Sequence, residues 1–226
     1  MADRTTGEFF SPLIEAAIEL SSQWHDQTYR KKRWRKAPFD VPADEILRVP
    51  VMAHVTAVAM NVQRAGWEEE VVAAAFLHDV LEDANRYGQR LLGEVLRMEL
   101  GDGVLGYVRE VTEQQFDANE RRREWRERKA DYVQQIRTGT TQASAISLAD
   151  KLHNLWSINQ ALEKGIDVFA ADQHGKGLRG GPEEHLWFYE AVLKATENHE
   201  DGRLAPMQAR LEVEIQRLRT KVGNKE

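Results

Sequence analysis

The chain contains no cysteine. Disulfides, thiolate metal ligands and a cysteine nucleophile are therefore excluded together. It also lacks any apolar run approaching the roughly 20 residues that a bilayer-spanning helix needs. The opening stretch, MADRTTGEFF, does not show the basic-then-apolar pattern of a secretory signal. Internal repeats, low-complexity tracts and convincing period-two alternation are missing too, so no strand is expected. The formal net charge of −6 speaks against a general nucleic-acid binder. What remains is the expectation of a soluble cytoplasmic protein without membrane partners. Its 226 residues suffice for one domain, spanning 1–226, with a substantial core.

Helix punctuation fills most of the chain. Ser11-Pro12 offers an N-cap with proline at the first helical position, predicting a helix to about Arg30. Pro38 and Pro42 argue for a loop from Lys31 to Val49, with a short helix at Ala43–Leu47. Pro50 then opens a helix over Val51–Arg64, closed by Gly66. A third is predicted from Val71 to Asp83, its acids Glu68, Glu69 and Glu70 favoured by the dipole at its start. Helices follow over Leu91–Leu100, Val104–Thr112, Glu120–Ile136, Ser144–Lys164, Glu183–His199 and Ala205–Lys221. Ala170–Pro182, rich in glycine, reads as a loop. The fold class is all-α.

His54, His78, Asp79 and Asp150 stand in apolar, helix-like surroundings. A lone histidine or aspartate in such a place is usually a satisfied core residue. Together, two imidazoles and two carboxylates form the ligand set of one divalent metal, suited to Mn²⁺, Fe²⁺ or Zn²⁺ better than to Mg²⁺ or Ca²⁺. On a helix running to Asp83, Glu82 would lie one turn from His78 and Asp83 one turn from Asp79. Such a carboxylate cluster at a helix C-terminus opposes the dipole unless a cation is bound. Glu82 and Asp83 are the candidates for moving protons.

These residues resemble the HD-domain phosphohydrolases, and one branch in particular. HDVLEDA at 78–84 is similar to the HDxxEDT stretch of the RelA/SpoT-type alarmone hydrolases, and LADKLHN at 148–154 to their LADRLHN. His25 with Arg30-Lys31, and Pro50 through His54, resemble two further motifs. The likeness extends over roughly residues 15–160, with departures: Lys32–Arg48 looks like an insertion, Thr28 stands where glutamine is usual, and Glu113 or Gln114 replaces a lysine.

The resemblance implies a helical bundle of about eight to ten helices. Its motif-bearing part covers about 11–165, with the helices of 183–222 packed on it. It further implies a stand-alone hydrolase that removes the 3′-pyrophosphate of guanosine tetra- or pentaphosphate, or of adenine counterparts, typically with Mn²⁺. His54, His78, Asp79 and Asp150 would be the ligands, and Glu82 and Asp83 catalytic. Arg30 would stack on the purine with Lys31 nearby, while Asn154 and Ser157 would contact the nucleotide. A purine nucleotide is then the partner, with a cognate alarmone synthetase or a second copy of the chain also compatible. The competing readings are a nucleotidase or phosphodiesterase acting on ordinary nucleotides, a non-catalytic binding module, and a nucleic-acid contact through the basic run Arg30–Lys36. The run Arg121–Lys129 alternates with Glu124 and Glu127, as a solvated helix does, with Arg128 the candidate for reaching phosphates. The loop Gly175–Gly181, with His185 and Tyr189, is placed to close over a ligand.

Overall fold

Ser11 accepts a hydrogen bond from the Ile14 amide at 3.3 Å and Pro12 takes the first helical position, so α1 (Pro12–Trp24) begins where the sequence places it. The computed structural model of the chain describes residues 10–34, 48–170 and 177–223. The remaining elements are β1 (Tyr29–Trp34), β2 (Arg48–Pro50), α2 (Met52–Arg64), α3 (Glu69–Phe76), α4 (Gly93–Val111), α5 (Trp125–Thr138), α6 (Thr141–Glu163), α7 (Pro182–Thr196) and α8 (Ala205–Gly223). The all-α reading holds for the body, with one addition. α1 stops at Trp24 instead of near Arg30, Gln27 turns the chain at φ 54°, and β1 pairs antiparallel with β2. The short helix expected at Ala43–Leu47 lies outside the described residues.

Three other boundaries moved for local reasons. The two helices expected on either side of Gly101 run on as α4 across a kink at that residue, where φ is 85°. α5 begins at Trp125 because Glu120, at φ 58°, forms the tip of a hairpin closed by the Phe116–Arg122 bridge. α6 begins early because Thr140 caps it, its hydroxyl accepting from the Ala143 amide at 3.1 Å. Gly165 at φ 74° follows the other end.

α6 is the axis of the core, with α2, α4, α7 and α8 packed around it. Ala145, Ile146, Leu148, Ala149 and Leu155 are fully buried along it, and its polar residues Asp150, Lys151, Asn154 and Ser157 reach the cavities on one side. α8 is tied to α6 by buried Glu214, whose carboxylate and carbonyl each accept from the Asn159 amide at 2.9 Å. Arg210 and Arg217 neutralise that carboxylate. Among the described residues, no helix is long and apolar enough to cross a membrane.

Candidate metal centre and adjoining cavity

The site starts at a helix that ends early. α3 stops at Phe76, seven residues short of Asp83, and the chain continues through tight turns. The cause is His78, whose Nδ1 lies 2.8 Å from the Ala75 carbonyl, an acceptor that a continuing helix would give to the Asp79 amide. The other freed carbonyls find side chains. Ser21 Oγ donates to Phe76 O at 2.8 Å and Trp24 Nε1 to Asp83 O at 2.9 Å. His78, Asp79, Glu82 and Asp83 therefore share a folded turn and do not form the helical face expected from their spacing.

That turn meets α2 and α6. His54 Nε2 lies 3.1 Å from Asp150 Oδ1 and 3.6 Å from Asp79 Oδ2. His78 Nε2 lies 3.3 Å from Asp79 Oδ1 and 3.7 Å from Asp150 Oδ1. Two donors held at 2.0–2.2 Å from one cation stand about 3 Å apart, so these separations suit a shared ion. Ligand atoms of His54, His78 and Asp150 all fall within 4.8 Å of one another. Both Nε2 atoms are buried without a partner in hydrogen-bond geometry, a costly state that a bound cation would relieve. Contacts on the far side hold both rings, and the one to a carbonyl sets the His78 proton on Nδ1. Nδ1 of His78 donates to Ala75 O, and Nδ1 of His54 meets Nδ1 of His153 at 2.7 Å. His153 thus braces the His54 ring from behind.

Burial, and next the Arg30 charge, lower the His54 pKa to about 4, leaving it neutral. Burial opposes charge on His78 as well, yet Asp79 and Asp150 outweigh it and raise its pKa well above the ordinary value. The Asp79 and Asp150 carboxyls stay ionised against burial, Asp79 chiefly through His78 and Asp150 through Lys151. Glu82 behaves oppositely: burial and the Asp79 charge push it up to about 8. Its Oε1 accepts from the Glu113 amide at 2.6 Å and its Oε2 from Gln115 Nε2 at 3.4 Å.

Two connected spaces adjoin the centre. An inner, polar chamber of about 150 Å³ is lined by His78, Asp79, Glu82, Lys129, Asp150 and Lys151. It opens into a cavity of about 370 Å³ that Arg30, Asp83, Asn154, Ser157, Trp125 and Tyr189 help to line. Asn154 is the hinge between them, its amide donating to Asp150 Oδ1 at 2.5 Å and its oxygen accepting from Arg30 at 2.6 Å. Ser157 Oγ is buried without a hydrogen-bond partner among the described residues. Asp83 is exposed at the rim. Lys31 stands on β1, and its side chain lies outside the described residues.

Several polar groups of these spaces escaped the sequence reading. Lys151 faces the inner chamber and pairs with Asp150 at 2.5 Å, a role signalled only by its place beside that aspartate. The run Arg121–Lys129 is a solvated surface only in part. Arg123 pairs outward with Glu127 and Asp131, whereas Arg128 and Lys129 turn inward onto buried Glu113. Burial and the Lys151 charge bring Lys129 down to about 7. Of the loop Gly175–Gly181, the described part from Gly177 onward lines the cavity, with His185 and Tyr189 beside it.

A helical body that gathers two histidines and two aspartates from three elements defines a class, and comparison with known proteins agrees. The chain belongs to the HD domain family, whose model matches residues 43–174. It is 34% identical over 127 residues to guanosine-3′,5′-bis(diphosphate) 3′-pyrophosphohydrolase MESH1 of Drosophila melanogaster. That match covers 55% of this chain and 65% of the fly protein, so the chain spans just under two thirds of this relative. The solved structure of a metazoan ortholog of SpoT, a protein described as hydrolysing ppGpp and acting in starvation responses, superposes with a TM-score of 0.64. The alignment covers 94% of this chain and 98% of that one at 24% identity, a likeness of fold. The lmo0812 protein of Listeria monocytogenes EGD-e superposes with a TM-score of 0.58 at 28% identity, over 73% of this chain and 97% of that one.

Proposed function

We propose that the chain is a divalent-metal-dependent pyrophosphohydrolase that removes the 3′-pyrophosphate of purine alarmones of the ppGpp type, with Mn²⁺ as its working metal. The observation that carries this reading is the pair of orphaned imidazole nitrogens facing Asp150 beside a lysine-lined chamber that opens into a nucleotide-sized cavity. His54, His78, Asp79 and Asp150 would hold the cation. When bound, it supplies Lewis-acid activation of water and of a phosphoryl oxygen.

The rest is done by the chain's own groups. Lys129 and Lys151 offset the charge of the pyrophosphate in the inner chamber. Water oxygen bonds to phosphorus, the bond from phosphorus to O3′ breaks, pyrophosphate leaves and O3′ takes a proton. Glu82 lies between the two spaces and manages proton transfer together with Asp83. Arg30, braced by Asn154, is placed to stack on the purine, and Ser157 offers its hydroxyl to the sugar.

The test is chromatography of products from guanosine and adenosine 5′-diphosphate 3′-diphosphates incubated with the Mn²⁺-loaded protein. Equimolar pyrophosphate and nucleoside 5′-diphosphate are expected. Release of orthophosphate from ordinary monophosphates, with the 3′-pyrophosphates left intact, would establish the nucleotidase reading instead.

A further inference from the structure

Arg122 and Arg179 line the outer cavity, and neither lines the inner chamber. Both side chains are exposed, and neither has an ion pair or a side-chain hydrogen bond among the described residues. Their neighbour Arg123 shows the contrast, since Glu127 and Asp131 both neutralise it. In a chain of net charge −6, two guanidinium groups on one cavity without a counter-charge among the described residues are not a consequence of composition.

Their backbones are held in place. Arg122 sits in the bridge to Phe116, in a hairpin whose turn is fastened by Asp117 Oδ1, which accepts from the Asn119 and Arg121 amides at 2.8 and 2.9 Å. The Arg179 carbonyl accepts from His185 Nε2 at 2.9 Å. The next residue, Gly180, turns at φ 80° so close to Trp125 that a Cβ would lie 3.2 Å from the indole. The two arginines also feel each other: burial and the charges of Arg179 and Arg90 lower the Arg122 pKa. Arg128, already engaged by Glu113, is disfavoured by burial and by Arg179 as well. An anion between these groups would relieve the repulsion.

On a ribose, the 3′ and 5′ substituents leave from different sides of the ring. With the 3′ arm in the inner chamber and the base near Arg30, the 5′ arm must point into the outer cavity. We propose that Arg122 and Arg179 form a second anion subsite that binds the 5′-phosphates of the nucleotide, an assignment that rests on the function proposed above. The enzyme would then favour substrates with a 5′-polyphosphate over those ending in a 5′-hydroxyl.

The test uses the full-length, Mn²⁺-loaded protein and an Arg122→Ala/Arg179→Ala double variant. Calorimetric titration with guanosine 5′-diphosphate and with guanosine should show the diphosphate bound at least about tenfold tighter by the wild type, with most of that difference lost in the variant. An Arg122→Lys/Arg179→Lys variant should keep part of it, because charge remains without the guanidinium fork. In turnover, the ratio of kcat/KM for 3′-pyrophosphates with and without a 5′-diphosphate should fall by a similar factor, through KM. Equal weakening of both ligands, or no weakening, overturns the subsite. A wild type that shows the arginine-dependent preference in binding yet cleaves no 3′-pyrophosphate would overturn the reaction and leave the subsite standing.

Discussion

Metal binding should expel about two protons near pH 7, and the residues that lose them can be named. Without metal, His78 is protonated, because Asp79 and Asp150 raise its pKa well above the ordinary value against the effect of burial. To ligate through Nε2 it must give up that proton. Glu82, with a pKa of about 8, is also largely protonated at neutral pH. Its pKa stands high through burial and the Asp79 charge; a cation cancels that charge and returns the carboxyl towards its ordinary range. A group with its pKa one unit above the ambient pH is about nine-tenths protonated, so Glu82 contributes nearly one proton. His54, at about 4, is already neutral, and Asp79 and Asp150 are already ionised, so they contribute none. Affinity therefore rises with pH, by close to a hundredfold per unit where both groups remain protonated and by about tenfold per unit where only one of them does. Titration calorimetry with Mn²⁺ in buffers of different ionisation enthalpy counts the protons directly. Glu82→Gln should reduce the count by about one while retaining metal. Release of no protons, or a count that Glu82→Gln leaves unchanged, would refute the reasoning.

Other outcomes follow from the same contacts. His153→Ala removes the hydrogen bond that orients His54, so Mn²⁺ affinity should fall by about 10- to 100-fold in titrations while circular dichroism stays that of the wild type. Glu113→Ala leaves buried Arg128 and Lys129 without their carboxylate, and chemical denaturation should record a loss of about 3 kcal/mol. Leu148→Ala opens a cavity on the fully buried face of α6 and should cost about 2–5 kcal/mol in the same experiment. His78→Ala should abolish Mn²⁺ binding and turnover together, and full activity in that variant would dismiss the site.

The helical frame was legible because its signals are local. Ser11-Pro12, Gly66 and Gly165 act within a few residues, and each marks a boundary that the structure shows, while Gly101 marks a kink where an end was expected. The candidate metal residues stood out because histidine and aspartate in apolar surroundings are anomalous wherever they occur. Their arrangement was not. α3 ends at Phe76 because a side chain competes for one backbone carbonyl, and nothing in an apolar run such as VVAAAFL announces that competition. The strand pairing of Tyr29–Trp34 with Arg48–Pro50 joins distant segments and carries no alternation to reveal it. Lys129 and Lys151 were hidden for a related reason: a lysine on a charged helix reads as solvated until its neighbours in space are known.

Hydrolysis in ¹⁸O-enriched water tests the central claim most directly. Guanosine 5′-diphosphate 3′-diphosphate, the Mn²⁺-loaded protein and mass analysis of both products are all that is required. Attack on phosphorus in a chamber walled by His78, Asp150, Lys129 and Lys151 places one heavy oxygen in pyrophosphate and none in the nucleoside 5′-diphosphate. Heavy oxygen at the nucleoside 3′ position, or label recovered in orthophosphate with no pyrophosphate formed, would contradict it.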